Sequence, residues 1–266
     1  MAIICSIVLS RRDPALEARG NWFRQQPGCI WQNEDENSAE NTARLLITRQ
    51  GVSLQYLEER FSFHPSMALL RIINIRRGFP DRYLEATDLK PGGSLLDLTL
   101  GLATDALVGA TILGPSGSLR GIESSPLLAA LIQDGLTHLA NDPLPKVKKE
   151  EKLIAWQELS SAARLIDVQW HDHLSFLYGQ PSRSVDVIYL DPMFRSTCVQ
   201  SASIRPMHIF ADQRALSLET IGEACRVARK RVVLKERKGS GEFTRLGFNI
   251  MPGGRYSQVD YGIILV

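Results

Sequence analysis

Four consecutive residues, Asp191-Pro192-Met193-Phe194, follow the apolar run VIYL and carry the most specific chemistry in the sequence. Asp191 supplies a carboxylate, and Pro192 supplies a carbonyl without an accompanying N–H donor, so both can accept hydrogens from an exocyclic amine. Phe194 would stack on the planar ring that bears the amine. We interpret Asp191, Pro192 and Phe194 as a catalytic clamp that orients an amine nitrogen for alkylation. The alternative is an ordinary turn with a phenylalanine in the core.

An acidic loop with one glycine follows an earlier apolar strand. In a doubly wound sheet, ligands bind over the carboxyl ends of the strands. Asp97 places an acceptor at such an end, and Gly101 lets the backbone pass close beneath a ligand. Thr104 and Asp105 begin the next helix, where Asp105 is a ligand contact or only a helix cap. The acidic character suits a cation such as a sulfonium better than a pyrophosphate.

A second acid, Glu123, ends the next predicted strand and is followed by Ser124. Its distance from Gly101 is close to the roughly 20 residues at which an acid accepts hydrogen bonds from adenosine ribose hydroxyls. A solvated acid at a strand end is the alternative. Together the two sites predict an adenosine-containing cofactor, without separating a nicotinamide dinucleotide from S-adenosylmethionine.

A third acid, Asp172, follows the third predicted strand and precedes His173. Asp172 would accept from an adenine amino group, while the backbone of His173 reads the ring edge. Equally, Asp172 would cap a short helix that begins at His173 or Leu174. The pair His171 and His173 lacks a third ligand at a recognisable spacing, so we predict no metal site.

Regular alternation of strands and helices places these residues at one sheet edge, because such chains form parallel sheets through right-handed crossovers. The last two predicted strands surround a glycine-rich connection and indicate an antiparallel pair. The fold class is therefore α/β, a doubly wound and mostly parallel seven-stranded sheet. The predicted strands are Ser94–Leu98, Leu119–Glu123, Ile166–Trp170, Val185–Leu190, Arg231–Lys235, Phe248–Met251 and Ser257–Val266. The predicted helices are Ala103–Leu113, Pro126–Ala140, Lys146–Leu165 and Asp212–Lys230.

The first 80 residues follow another pattern. Strand-like segments, Ala2–Leu9 and Ala43–Phe63, alternate with helical ones, Pro14–Gln26 and Ser66–Arg77. We expect residues 1–80 to form a small strand-rich α+β cap or substrate region, and residues 81–266 to form the cofactor-binding domain.

Basic residues in loops and at strand ends are candidates for substrate binding. Arg71 lies in the segment expected over the cofactor cleft and would reach a cofactor carboxylate or a substrate phosphate; a charge on the helix surface is the alternative. Arg195, Lys235 and Arg237 would belong to a phosphate-binding rim, together with Arg76, Arg77 and Lys238.

The composition of the chain limits the class of protein, its partners and its cellular compartment. The 266 residues are 44% hydrophobic and 23% charged, with a formal net charge of +2, so the chain can bury a core and permits a nucleic-acid partner without requiring one. The four cysteines lie far apart in the sequence, as expected of reduced thiols and not of a disulfide framework. The apolar N-terminal run precedes its basic residues, unlike a signal peptide, and no apolar stretch approaches the roughly 20 residues of a membrane span. We expect a cytoplasmic protein with neither a membrane association nor an obligate protein partner.

The segments LDLTLGLATDA, ESSPLLAALIQDGL and YLDPMF, in this order, resemble class I S-adenosylmethionine-dependent methyltransferases. They are similar to the bacterial ribosomal RNA small-subunit methyltransferase J family, which methylates a guanine N2. The resemblance covers about residues 61–240, and D-P-M-F is its most specific part. It departs at Ala103-Thr104, where guanine-methylating members usually carry a second glycine and a basic residue, and at Asp172-His173, where they carry serines.

The resemblance implies S-adenosylmethionine as the methyl donor and small-subunit ribosomal RNA, or the small subunit itself, as the partner. It implies cofactor contacts at Thr104, Asp105, Glu123, Ser124, Asp172, His173 and Asp191. Other acceptors, in another RNA, in DNA or in a small molecule, remain open. A nicotinamide-dependent oxidoreductase and a non-catalytic RNA-binding relic are the alternatives of another class.

Overall fold

Two β-sheets organise the residues that the computed structural model describes, namely 4–32, 43–56, 59–192, 210–254 and 257–266. The smaller sheet has the strand order β2-β1-β3-β4-β5. Its strand β1 pairs in parallel with β2 and β3, and β3, β4 and β5 form an antiparallel meander. These strands are β1 (Ile4–Leu9), β2 (Ile30–Gln32), β3 (Ala43–Thr48), β4 (Gly51–Tyr56) and β5 (Glu59–Ser62). The predicted strand-rich N-terminal region is confirmed.

The larger sheet has seven strands in the order β11-β12-β10-β9-β6-β7-β8. The strands are parallel except for β12, which runs antiparallel to both β10 and β11. Their bounds are β6 (Ser94–Asp97), β7 (Ser118–Glu123), β8 (Ile166–Trp170), β9 (Val185–Leu190), β10 (Ala228–Arg237), β11 (Asn249–Met251) and β12 (Val259–Leu265). The predicted α/β fold with an antiparallel C-terminal pair is confirmed.

Helices cover both faces of the larger sheet. Their bounds are α1 (Pro14–Arg24), α2 (Ser66–Arg76), α3 (Arg82–Thr87), α4 (Thr104–Leu113), α5 (Pro126–Asn141), α6 (Glu150–Ala163), α7 (His173–Tyr178), α8 (Leu218–Val227) and α9 (Glu242–Leu246). Successive residues of β10 point to opposite faces: Val233 enters the core beneath α2, α4 and α6, whereas Val232 and Leu234 enter the core beneath α7 and α8. Burial on both faces explains why the centre of β10, residues 232–234, is wholly apolar.

The N-terminal region packs on the larger sheet's helices at two places. Leu45 and Leu54 of the small sheet share a core with Leu127 and Leu131 of α5. Helix α2 packs against α4 and α6 through side chains that include Ile72. These contacts hold the described part of the first 80 residues against the helices of the larger sheet, and the division at residue 80 stays a prediction.

The predicted helix Asp212–Lys230 is wrong at both ends. Helix α8 begins only after Ser217, whose hydroxyl caps it by accepting from the Thr220 N–H, and it ends at Val227. Ala228 already pairs with Val185 of β9, so pairing between strands overrides the local helical preference of the residues that follow. The predicted helix Lys146–Leu165 is likewise shorter, and the short elements β2, α3 and α9 have no periodicity from which to predict them.

Candidate active site

The carboxyl ends of four parallel strands bring the predicted acids to one edge. Asp97 ends β6, Glu123 ends β7, Asp172 follows β8 and Asp191 follows β9. Because β9, β6, β7 and β8 are neighbours in that order, the acids lie along a continuous row.

The glycine loop is held against the second strand by a buried carboxylate. Gly101 has a left-handed φ of 49°, and its N–H donates to Glu123 Oε2 at 3.1 Å. Glu123 Oε1 accepts from the Ser125 N–H at 2.9 Å. The Glu123 side chain is only 6% exposed, and this burial raises its pKa. Glu123 therefore fixes the two loops that would surround an adenosine ribose.

Asp97 is the most buried acid of the row, at 2% exposure. It accepts a hydrogen bond from the Thr99 N–H at 3.0 Å. Burial, with the charges of Asp105 and Asp191, raises the pKa of Asp97 to about 8 against the opposing effect of the Thr99 hydrogen bond. A cationic ligand at this position would stabilise the ionised form, which fits the sulfonium and ammonium groups of S-adenosylmethionine.

One lysine, Lys235, contacts both Asp191 at the end of β9 and Asp105 of α4. Lys235 Nζ lies 2.6 Å from Asp191 Oδ2 and 3.0 Å from Asp105 Oδ2. The Asp191 N–H donates to Thr99 Oγ1 at 2.6 Å, so side chain and backbone of Asp191 are both held. Asp191 is thereby fixed at the end of β9 before any substrate binds.

Asp105 has further partners on its other side. Arg71 of α2 donates to Asp105 and makes a bidentate pair with Asp81, with distances of 2.8 Å and 2.9 Å to the Asp81 oxygens. The Tyr189 hydroxyl also donates to Asp105, at 2.8 Å. Arg71 is therefore neither a free surface charge nor a ready phosphate ligand, and it links the N-terminal region to the site.

The contacts among Arg71, Lys235, Asp105 and Asp191 form a buried network in which the pKa values of the two acids shift in opposite directions. Burial alone would raise the pKa of Asp105, but the cations Lys235 and Arg71 outweigh burial and lower it. Burial, together with the nearby charges of Asp105 and Glu236, raises the pKa of Asp191 despite Lys235. Asp105 is consequently a fixed anion, whereas Asp191 is the better proton acceptor of the two.

Asp172 caps helix α7, as one of its two interpretations predicted. Its Oδ1 accepts from the Ser175 N–H at 3.0 Å, and Arg214 lies 2.7 Å from its Oδ2. Burial opposes these contacts, but they lower the pKa of Asp172 to about 2. Next to it, burial lowers the pKa of His173. A contact with adenine at these residues stays a prediction.

Two cavities flank the row of acids. The first, of about 440 Å³, lies where Cys29 and Ile30 face Ser124 and Trp170. The second, of about 490 Å³, lies beside Pro192 at the ends of β9 and β10. Arg214 borders both cavities; the first is lined by Ser124, which follows Glu123, and the second by Pro192, which follows Asp191.

The basic residues predicted to form one phosphate-binding rim lie at several separate positions in the structure. Arg76 and Arg77 pair with Glu158 and Glu151 of α6, at 2.5 Å and 2.7 Å. Lys235 belongs to the buried network, and Arg237 and Lys238 border the second cavity. Arg195 and Phe194 lie outside the described residues.

Several residues of the site were missed by the sequence analysis. Thr99, Tyr189 and Arg214 contact the predicted acids, and Asp81 shares Arg71 with Asp105. Of these residues, only Tyr189 could have been noticed in the sequence, since it puts a hydroxyl into the otherwise apolar run VIYL. Within the described ranges, no group of three or more histidine, cysteine or acidic side chains could hold a metal ion, and no helix there is long and apolar enough to cross a membrane.

Comparison with known proteins decides which adenosine cofactor the site takes. The family model of SAM-dependent methyltransferases, where SAM is S-adenosylmethionine, matches residues 37–245. The chain belongs to this family. Membership settles the choice between nicotinamide and S-adenosylmethionine that the glycine loop and Glu123 left open.

Relatives of the methyltransferase include both uncharacterised and named proteins. YpiP of Bacillus subtilis, an uncharacterised protein, is 34% identical over 82% of this chain and 77% of its own length. A ribosomal RNA small subunit methyltransferase J of Aeromonas salmonicida is 35% identical over 59% of this chain and 58% of its own length. The corresponding protein of Laribacter hongkongensis is 35% identical over 53% of this chain and 45% of its own length. The match thus spans about half the length of these two named relatives.

A solved structure shares the fold of the methyltransferase. A SAM-dependent methyltransferase of Neisseria gonorrhoeae superposes with a TM-score of 0.65 at 20% identity, covering 98% of this chain and 95% of that one. Because the superposition extends over almost the whole chain, the shared fold includes the N-terminal sheet.

The carboxylate of Glu123 leads to a prediction on cofactor affinity. We expect Glu123→Gln to weaken S-adenosylmethionine binding by about 1–3 kcal/mol, because a charged acceptor is lost from the position of the ribose hydroxyls. Calorimetric titration measures the change. Glu158→Gln, which alters an exposed pair on α6, is the control and should bind as the wild type does. Unchanged binding by Glu123→Gln would place the ribose elsewhere.

Proposed function

We propose that this methyltransferase methylates the exocyclic N2 amine of a guanine in small-subunit ribosomal RNA. The observation that carries the proposal is the held position of Asp191, fixed by Lys235 and Thr99 next to the Pro192 carbonyl. Two acceptors at this edge suit an amine with two hydrogens. The guanine comes from the resemblance in D-P-M-F, and the target in small-subunit ribosomal RNA comes from that resemblance and from relatives whose names state it.

The cofactor, when bound, supplies a methyl group on a positively charged sulfur that is already a good leaving group. Asp191 accepts one amine hydrogen and the Pro192 carbonyl accepts the other, which directs the nitrogen lone pair at the methyl carbon. The Asp191 charge stabilises the positive charge that develops on nitrogen. Its raised pKa then suits it to take the proton that the methylated amine releases.

The other candidate residues have supporting roles in this proposal. Asp97, Gly101, Glu123 and Ser124 would surround the cofactor, with Thr104, Asp105, Asp172 and His173 at its margins. Arg237 and Arg195 would contact RNA phosphates, and Phe194 would stack on the base. Lys235 and Arg71 position the carboxylates instead. Residues 1–80 would form a cap over the edge that receives RNA, and the enzyme would act in the cytoplasm.

Transfer of a labelled methyl group tests the substrate class. The purified protein is incubated with S-adenosylmethionine and, separately, with free small-subunit ribosomal RNA, assembled small subunits, transfer RNA and duplex DNA. We expect label in the ribosomal RNA or in the small subunit alone. Label confined to transfer RNA or DNA would refute the ribosomal target while keeping the methyltransferase.

A further inference from the structure

The second cavity is lined by Pro192, the residue that follows Asp191 in the chain. It forms at the carboxyl ends of β9 and β10, next to the row of acids, and is walled also by Leu216 and Leu234. Its volume of about 490 Å³ falls within the roughly 300–1,000 Å³ of small-ligand sites. A base extruded from RNA enters a pocket of this kind.

One carboxylate lines this cavity from within the sheet. Glu236 is the residue after Lys235 on β10, so its side chain points to the opposite face. It is 8% exposed, its Oε2 accepts from the Ser240 hydroxyl at 2.9 Å, and none of the ion pairs among the described residues includes it. A buried carboxylate without a cation is costly. Its place in a cavity wall suggests a hydrogen-bond donor from a ligand as its missing partner.

The chemistry of a carboxylate selects between bases. Guanine presents an N1–H donor beside its N2 amine, and a carboxylate accepts from that N1–H. Adenine presents a lone pair at N1, which a carboxylate repels. Glu236 is also close enough to Asp191 for its charge to raise the pKa of that carboxyl.

We propose that Glu236 is the residue that selects guanine, by accepting from its N1–H while Asp191 and the Pro192 carbonyl accept the two hydrogens of the N2 amine. This inference rests on the proposed function, because it assigns the base within the same acceptor site. It adds a specificity-determining residue that carries no part of the methyl transfer itself.

Mononucleotide binding tests the assignment without requiring turnover. The wild type and Glu236→Gln are titrated with guanosine, inosine and adenosine monophosphates in saturating S-adenosylhomocysteine. We expect the wild type to bind the guanosine nucleotide at least about tenfold tighter than the adenosine nucleotide, since two acceptor contacts are at stake. Inosine, which keeps N1–H and lacks the amine, should fall between them. In Glu236→Gln this preference should fall at least about fivefold, because the amide can also donate to adenine N1.

Ser240→Ala tests whether the Glu236 carboxylate itself recognises guanine or only supports the loop that contains Ser240. This variant removes the hydrogen bond to Glu236 but keeps the carboxylate, so it should retain the guanine preference; melting temperatures show that each variant is folded. Equal preference in the wild type and Glu236→Gln, or a wild type that does not distinguish the nucleotides, would overturn the inference. A guanine preference that depends on Glu236 would stand even if no ribosomal RNA were methylated, so the two proposals fail separately.

Discussion

Replacing Asp191 with alanine will lower the rate of methyl transfer by about a hundredfold or more while S-adenosylmethionine affinity stays within about tenfold. The variant loses the acceptor that orients the amine and the charge that stabilises the developing cation. The glycine loop and Glu123, which hold each other through the Gly101 N–H, are untouched by the change. Single-turnover transfer and calorimetric binding measure the two quantities separately.

Two further variants sharpen this prediction. Asp191→Asn keeps an acceptor oxygen and loses the charge, so its rate should lie between those of the wild type and the alanine variant. Glu151→Gln, which breaks an exposed pair with Arg77, should transfer methyl groups as the wild type does. Wild-type turnover by Asp191→Ala would remove Asp191 from the reacting centre.

Replacing Lys235 with methionine will lower the free energy of unfolding by about 3 kcal/mol at pH 7. The change keeps most of the apolar length of a side chain that is only 21% exposed, but it removes the cation shared by Asp105 and Asp191. Arg71 still compensates Asp105, whereas Asp191 loses its described ionic partner. Urea denaturation measures the difference.

The pH dependence of this loss has a definite sign. Without Lys235, the pKa of Asp191 in the folded protein rises further above its value in the unfolded chain. The destabilisation relative to the wild type is then smallest at low pH, where Asp191 is protonated in both folded proteins, and it grows as the pH rises above the pKa of Asp191 in the folded wild type. Lys230→Met is the control, because it removes an exposed lysine of the same strand that lies 3.4 Å from Asp186. It should change stability by less than about 1 kcal/mol. Equal losses in the two variants would argue against the buried network.

The row of acids was predictable because parallel strands end at one edge. Asp97, Glu123 and Asp191 each stand at the carboxyl end of a predicted strand, and the alternation of strands with helices aligns those strands in parallel. Glu123 was predicted as a ribose contact, and the structure adds that its carboxylate also joins the loops that would surround a ribose.

The convergence of charges on Asp105 was not predictable. Arg71 and Lys235 lie 34 and 130 residues away from it along the chain, and only the packing of α2 on α4 and the position of β10 bring them together. Both were predicted as substrate contacts because their local sequence shows a charge and not its partner. The error over residues 212–230 has a similar cause, since β9 decides where β10 begins.

Identification of the methylated nucleoside tests the central claim most directly. Small-subunit ribosomal RNA is incubated with the protein and S-adenosylmethionine carrying a deuterated methyl group, digested to nucleosides and analysed by mass spectrometry. The account predicts that the label appears as N2-methylguanosine, and that Asp191→Ala produces none above background. Label on an adenine, on a ribose or on a ring carbon, or label that survives in Asp191→Ala, would contradict it.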